Sequence, residues 1–204
     1  MLLALKINLQ VDYMKIAPIF GKKLYAFKYP EEDKDEFARL FELWNDSEYL
    51  EEFFEINKSD LQSGYWRNRS VEDAIFDTID YAQDFEDILI KLSDESESSQ
   101  KDGLESIFSP LSNSQYKIQI LDKSKAKENW LRIYALRVER DIYIITGGAI
   151  KLTRTMQERV HTEKELHKID KCRRFLLDLG IIDSDGLIEE VESYNYENNT
   201  RKNK

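Results

Sequence analysis

The sequence predicts an α+β fold: a small antiparallel β-sheet in meander order, preceded by an N-terminal helical block and closed by a C-terminal helix. Three observations predict it. Two β-rich runs, at about 130–138 and 142–153, meet at the charged triplet Glu139-Arg140-Asp141, as the arms of a hairpin meet at a turn. Upstream, aromatic and aliphatic residues recur at helical spacing. Downstream, Thr162 and Glu165 stand in capping-box positions before a stripe of Leu166, Ile169, Cys172, Phe175 or Leu176, and Leu179, with Gly180 placed to end the helix.

The elements follow in order. Leu24–Tyr29 is a short aromatic strand closed by Pro30. Phe37, Leu40, Phe41 and Trp44 mark a helix over Glu31–Asn45, and Leu50, Phe53 and Phe54 mark a second over Ser47–Ile56. Ser70 and Asp73 open a third helix in capping-box fashion. Its stripe is Val71, Ile75, Ile79, Ala82, Leu89 and Leu92. Its other face carries Asp73, Asp77, Asp80, Asp84 and Asp87, either as a solvated face or as a contact for a basic sheet. Ser93–Asp102 is polar and Ser-rich, with nothing to bury, and reads as a mobile loop. Leu104–Leu111 reads as irregular or a single helical turn, and Tyr116–Leu121 alternates as a strand does. Residues 1–23 form an N-terminal extension, 24–191 a single domain with a helical insertion at 60–115, and 192–204 a disordered tail.

Composition narrows function. The 204 residues carry a formal charge of −10, which argues against a general nucleic-acid coat protein. The charge is uneven, however. Residues 1–116 hold 12 Lys/Arg against 25 Asp/Glu, whereas residues 117–174 hold 15 against 8. One cysteine, Cys172, excludes an internal disulfide and a Cys-based metal cluster, and two histidines are too few for a His-rich metal site. Neither a metal nor a cofactor is expected. No apolar run has transmembrane length, so no membrane association is expected and the cytoplasm is the simplest location. Hydrolase and nucleotide motifs of the G-x-S-x-G, H-E-x-x-H and G-x-G-x-x-G kinds are absent.

The hairpin carries the chemistry. With Val138 facing Ile142, Arg132, Tyr134, Leu136, Ile144, Thr146 and Gly148 share one face, and Leu131, Ile133, Ala135, Arg137, Tyr143, Ile145 and Lys151 share the other. Gly147-Gly148 within a strand signals a bulge or a close approach by another backbone or a ligand. Cations on a rigid sheet are what a phosphate-rich partner needs.

The run LRIYALRV, the Ile142–Ile145 strand, Gly148, Lys151, Thr153 and the helix opening at Thr162 resemble the RelE/HigB superfamily of toxin ribonucleases, in its phage-derived HigB-like branch. The resemblance spans roughly 24–60 and 116–179. Where that family shows Gly, an aromatic and two consecutive lysines, this chain has Gly148, Ala149, Lys151 and Leu152. The resemblance implies the RelE-like fold and the toxin role of a type II toxin–antitoxin pair. It implies metal-free cleavage of mRNA, with the ribosome as an expected partner and a helix-turn-helix antitoxin covering the basic sheet. Arg132, Arg137, Lys151 and Arg154 are then the candidates for phosphate and transition-state contacts. Tyr134, Tyr143 or His161 is the candidate acid, base or 2′-hydroxyl partner. The alternative is a non-enzymatic interaction protein on the same fold, a degenerate toxin or a phage-related regulator.

Overall fold

A computed structural model describes residues 14–94, 103–111 and 120–202. The readings made for residues 1–13, for 95–102 of the polar loop and for 116–119 of the strand at 116–121 lie outside the described residues. Lys15–Phe20 (β1) and Leu24–Lys28 (β2) form a hairpin. The helices Glu36–Asn45 (α1), Ser47–Ile56 (α2), Lys58–Leu61 (α3) and Val71–Ser93 (α4) follow. Then come Ser109–Pro110 (β3), Asp122–Glu128 (β4), Leu131–Glu139 (β5) and Ile142–Ile150 (β6), and finally Val160–Asp178 (α5) and Ser184–Lys202 (α6). The class is α+β, as predicted. Among the described residues, no helix is long and apolar enough to cross a membrane.

The stripes of α1 and α2 pack into the core as expected, but α1 starts at Glu36 and not Glu31. α4 buries Ala74, Thr78, Phe85 and Leu89, while Val71, Ile75, Ile79 and Leu92 are only half-buried, because the face is turned toward small residues that let the helix pack closely. Asp35, Asp46 and Ser70 accept backbone N–H groups at the starts of α1, α2 and α4. Phe37, Leu40, Phe41, Trp44, Leu50, Phe54, Phe85 and Leu89 are all buried against one face of the sheet, with Leu131, Ile133, Ala135 and Ile145. The other face, with Tyr134, Leu136 and Ile144, packs on Ile169, Cys172 and Leu176 of α5 and on Leu187 and Val191 of α6. The sheet is therefore sandwiched between two helical layers.

Five expectations change. The sheet order is β1-β2-β6-β5-β4-β3, and β2 runs parallel to β6, with Leu24 beside Tyr143 and Ala26 beside Ile145. The meander is antiparallel, but the whole sheet is mixed, because the helical block makes a crossover between these neighbours. β1 lies within the segment assigned as an extension, yet it pairs with β2. Ile120 and Leu121 sit in a turn, Leu121 with φ of 55°, and the strand begins at Asp122. α5 starts at Val160, and the Thr162 hydroxyl donates to the Met156 and Arg159 carbonyls instead of capping; Glu165 turns inward. The chain then continues as a second closing helix to Lys202, through the stretch assigned as a disordered tail, because Leu187 and Val191 bury one side of it.

The end of α5 follows prediction. Gly180 has φ of 76°, its N–H donates to Leu177, and the Ile181 N–H donates to Leu176. This is a Schellman turn, closed by apolar contact between Ile181 and Leu176 in one core. A Cβ at Gly180 would meet nothing within 4 Å. Gly180→Ala therefore isolates the backbone term, and a loss of about 1 kcal/mol is expected in urea unfolding. An unchanged midpoint would mean that the left-handed turn contributes nothing.

Candidate functional site

A bulge decides what the hairpin presents. Ile142 opposes Glu139 and not Val138, across a first irregularity beside the turn; further on, Ala135 opposes Ile145, but Tyr134 opposes Gly147, so Thr146 is an extra residue on β6. Beyond it every side chain changes face. Gly148 joins the α1 side, where a Cβ would lie 2.6 Å from the Arg132 carbonyl oxygen and 2.8 Å from Leu40. Ala149 joins the α5 side, and Lys151, two residues on, follows it. Both Gly148 and Lys151 thus lie on the faces opposite to those expected. At Gly147 a Cβ would overlap the Glu165 carboxylate. The close approach signalled by the glycine pair is real: it is made by a carboxylate, a cross-strand carbonyl and a leucine.

The bulge assembles a cationic end of the sheet. Lys125 lies opposite Tyr134, and Lys127 lies opposite Arg132, so these four share the face that Lys151 joins. Among the described residues, none of Lys125, Lys127, Arg132, Lys151 and Arg154 takes part in an ion pair. Burial lowers the pKa of Lys151, and the charges of Arg132 and Lys125 lower it further. Its Nζ donates to the carbonyls of Thr153 at 2.5 Å and Arg154 at 2.7 Å, which leaves one donor of three. Arg132 is held by the carbonyls of Asn129 and Leu131, and burial lowers its pKa too. Arg154 is exposed at the rim. The acidic face of α4 does not neutralise this end: Asp77 pairs with Arg69, while Lys123 of the sheet pairs with Asp170 of α5.

The other candidates lie elsewhere. Arg137 and Arg140 both pair with Glu105, at 2.6 and 3.2 Å, at the turn end of the hairpin. Tyr143 is buried on the α1 side and stacks on Phe108 with ring centroids 4.3 Å apart; burial pushes its hydroxyl up to about 12. Tyr134 sits beside the cations, but its hydroxyl is buried with no partner among the described residues, and burial raises its pKa. His167 is exposed on α5.

His161 belongs to a different arrangement. β2 pairs with β6 only as far as Ile145. Past that point side chains take over the open edge of β6. The Tyr29 hydroxyl donates to the Thr146 carbonyl at 2.6 Å, the Glu165 carboxylate accepts the Gly148 N–H, and His161 Nε2 lies 3.0 Å from the Ile150 carbonyl. Behind them a charged network ties α1 to α5. Glu36, 1% exposed, receives two bonds of 2.8 Å from Arg39 and one of 2.7 Å from Lys168. Burial raises the pKa of Glu165 to about 7, and its Oε2 has no hydrogen-bond partner among the described residues. A cleft of about 290 Å³ opens beside this edge, lined by Arg39, Tyr49, Gly148, His161 and Glu165 among others.

The fold therefore brings together Arg132, Lys151 and Arg154, with Tyr134 beneath them, and separates off Arg137, Tyr143 and His161. Sequence reasoning missed Lys125 and Lys127, whose alternation with Ser124, Ala126 and Glu128 was the available signal. It also missed Tyr65, 80% exposed and close enough to Arg132 to act on its charge. No family model, curated protein or solved structure matches this chain.

Proposed function

We propose that the chain is an RNA-cleaving toxin of the RelE/HigB kind, acting on mRNA at the cationic end of its sheet. The observation that carries this reading is the gathering of Lys125, Arg132 and Lys151, none in an ion pair among the described residues, with Glu158 and Glu128 acting on Lys151 and Arg132 only from a distance. Unpaired cations so close together repel, and a phosphodiester relieves that repulsion.

In the proposed reaction the ribose 2′-hydroxyl attacks the adjacent phosphorus, its proton passes to solvent water at this exposed end of the sheet, and the bond from phosphorus to the 5′-oxygen breaks. The products are a 2′,3′-cyclic phosphate and a 5′-hydroxyl. The Arg132 guanidinium binds the non-bridging oxygens as their charge grows. Lys151, with its pKa drawn down by burial and by Arg132, gives a proton to the leaving 5′-oxygen. The ribosome and a helix-turn-helix antitoxin remain the proposed partners, and mRNA as substrate puts the activity in the cytoplasm.

A non-enzymatic role on the same fold is the second reading. One observation favours it: the Tyr134 hydroxyl is sealed off and the His161 ring is engaged with the main chain, so neither is placed to take the 2′ proton. Tightly controlled expression of the chain decides. Growth arrest with mRNA cleavage is expected. Arg132→Ala and Lys151→Ala are each expected to lower the cleavage rate by about 10²-fold, with melting temperatures unchanged. Normal growth with intact mRNA would leave the interaction role, and arrest undiminished by the double substitution would remove both residues from the mechanism.

A further inference from the structure

The segment between α3 and α4 places an aromatic ring at the rim of the cationic end. Tyr65 lies in a single 3-10 turn, Gly64–Trp66, and is 80% exposed, the most exposed of the large apolar side chains among the described residues. Its mount is rigid. The Trp66 ring meets it edge-on at 4.7 Å. Trp66 in turn packs edge-on against Trp130 at 5.3 Å, and its Nε1 donates to the Leu152 carbonyl at 2.7 Å. Leu152 directly follows Lys151, so the platform and the ammonium are fixed to one piece of backbone. Trp130 precedes Leu131 and Arg132, and its carbonyl accepts the Lys151 N–H at 2.8 Å.

This combination is unlike a core residue that failed to find cover. A core tyrosine would have its ring packed, whereas here only the supporting tryptophan is packed. A protein-docking aromatic would sit among apolar neighbours. This one stands near Arg132, with the exposed Arg67 two residues away. Fixed aromatic faces set along a cationic track are the means by which proteins hold single-stranded nucleic acid: phosphates lie on the cations and bases stack on the rings.

We propose that Tyr65 is a stacking platform for a nucleobase of single-stranded RNA, next to the phosphate held by Arg132 and Lys151. The proposal rests on the RNA reading above for its polyanion. It adds a determinant supplied by the 60–115 segment, and it makes the protein selective for unpaired RNA, whose bases are free to leave the helix.

The test is fluorescence anisotropy with the full chain and two labelled 12-mers, oligoadenylate and an abasic RNA of equal length. Wild type is expected to bind oligoadenylate more tightly. Tyr65→Ala is expected to weaken oligoadenylate binding about tenfold or more while leaving the abasic RNA unchanged, and Tyr65→Phe, which keeps the ring, to match wild type. Equal losses for the two RNAs, or no loss for oligoadenylate, would overturn the platform. If Arg132→Ala and Lys151→Ala weaken binding to both RNAs while Tyr65→Ala weakens neither, the platform fails alone. If wild type binds neither RNA, the RNA reading fails with it.

Discussion

Replacing Trp130 by alanine is expected to cost about 3–5 kcal/mol of folding stability. Trp130 is 2% exposed and stands where β5, α2, α4 and the Gly64–Trp66 turn converge. Its ring meets Phe54 at 5.8 Å, Trp66 at 5.3 Å and Tyr81 at 5.6 Å, and its Nε1 donates to the Thr78 hydroxyl at 3.0 Å. Helices on three sides cannot collapse together into the vacated volume, so cavity and transfer terms add. Trp130→Phe keeps most of the volume but removes the indole donor, and about 1–2 kcal/mol is expected. Urea unfolding measures both. A loss below about 1 kcal/mol for the alanine variant would show that the helical block repacks freely and that Trp130 is no hub.

Glu165→Gln is expected to stabilise the protein, and only above acidic pH. The folded pKa of Glu165 is raised from 4.5 to about 7 by burial, with Glu36 raising it and Lys168, Arg39 and the Gly148 N–H lowering it. The folded state thus holds a proton that the unfolded state has released between these two values. Stability from this group is full below about pH 4.5, falls as pH rises towards 7, and is lost above. The difference amounts to about 3 kcal/mol. Glutamine keeps an oxygen for the Gly148 N–H and cannot ionise, so the variant should match wild type at pH 4 and exceed it at pH 8. Denaturant titrations at the two pH values decide. A variant less stable than wild type at pH 8 would mean that the charged carboxylate, paired with Lys168, is the form the fold prefers.

What the sequence made visible was local. Ser70 announces its helix, Phe37, Leu40, Phe41 and Trp44 name the buried side of α1, and the Schellman turn at Gly180 was readable from one glycine after a fading stripe. β4 was hidden because Lys123, Lys125 and Lys127 alternate with small or charged residues, so the period-two signal is there without hydrophobic contrast. α6 was hidden because its few apolar residues hardly rise above a polar background. The faces of the hairpin were right for Leu131–Arg137 and wrong after Thr146, since a bulge shifts register by one residue and leaves no mark beyond a glycine pair. For the site, Arg132 and Lys151 were visible as residue types on strands. Their lack of ion pairs among the described residues, the sealing of Tyr134 and the nearness of Tyr65 depend on tertiary proximity, which no spacing encodes.

The side-chain closure of the β6 edge also constrains how the chain is made. Tyr29 must meet Thr146 across 117 positions of sequence, and Glu165 and His161 are synthesised later still. On a growing chain, the N-terminal hairpin and helices therefore remain without their central strand until the residues of β6 have left the ribosome. The last half of β6 then becomes protected only when α5 arrives.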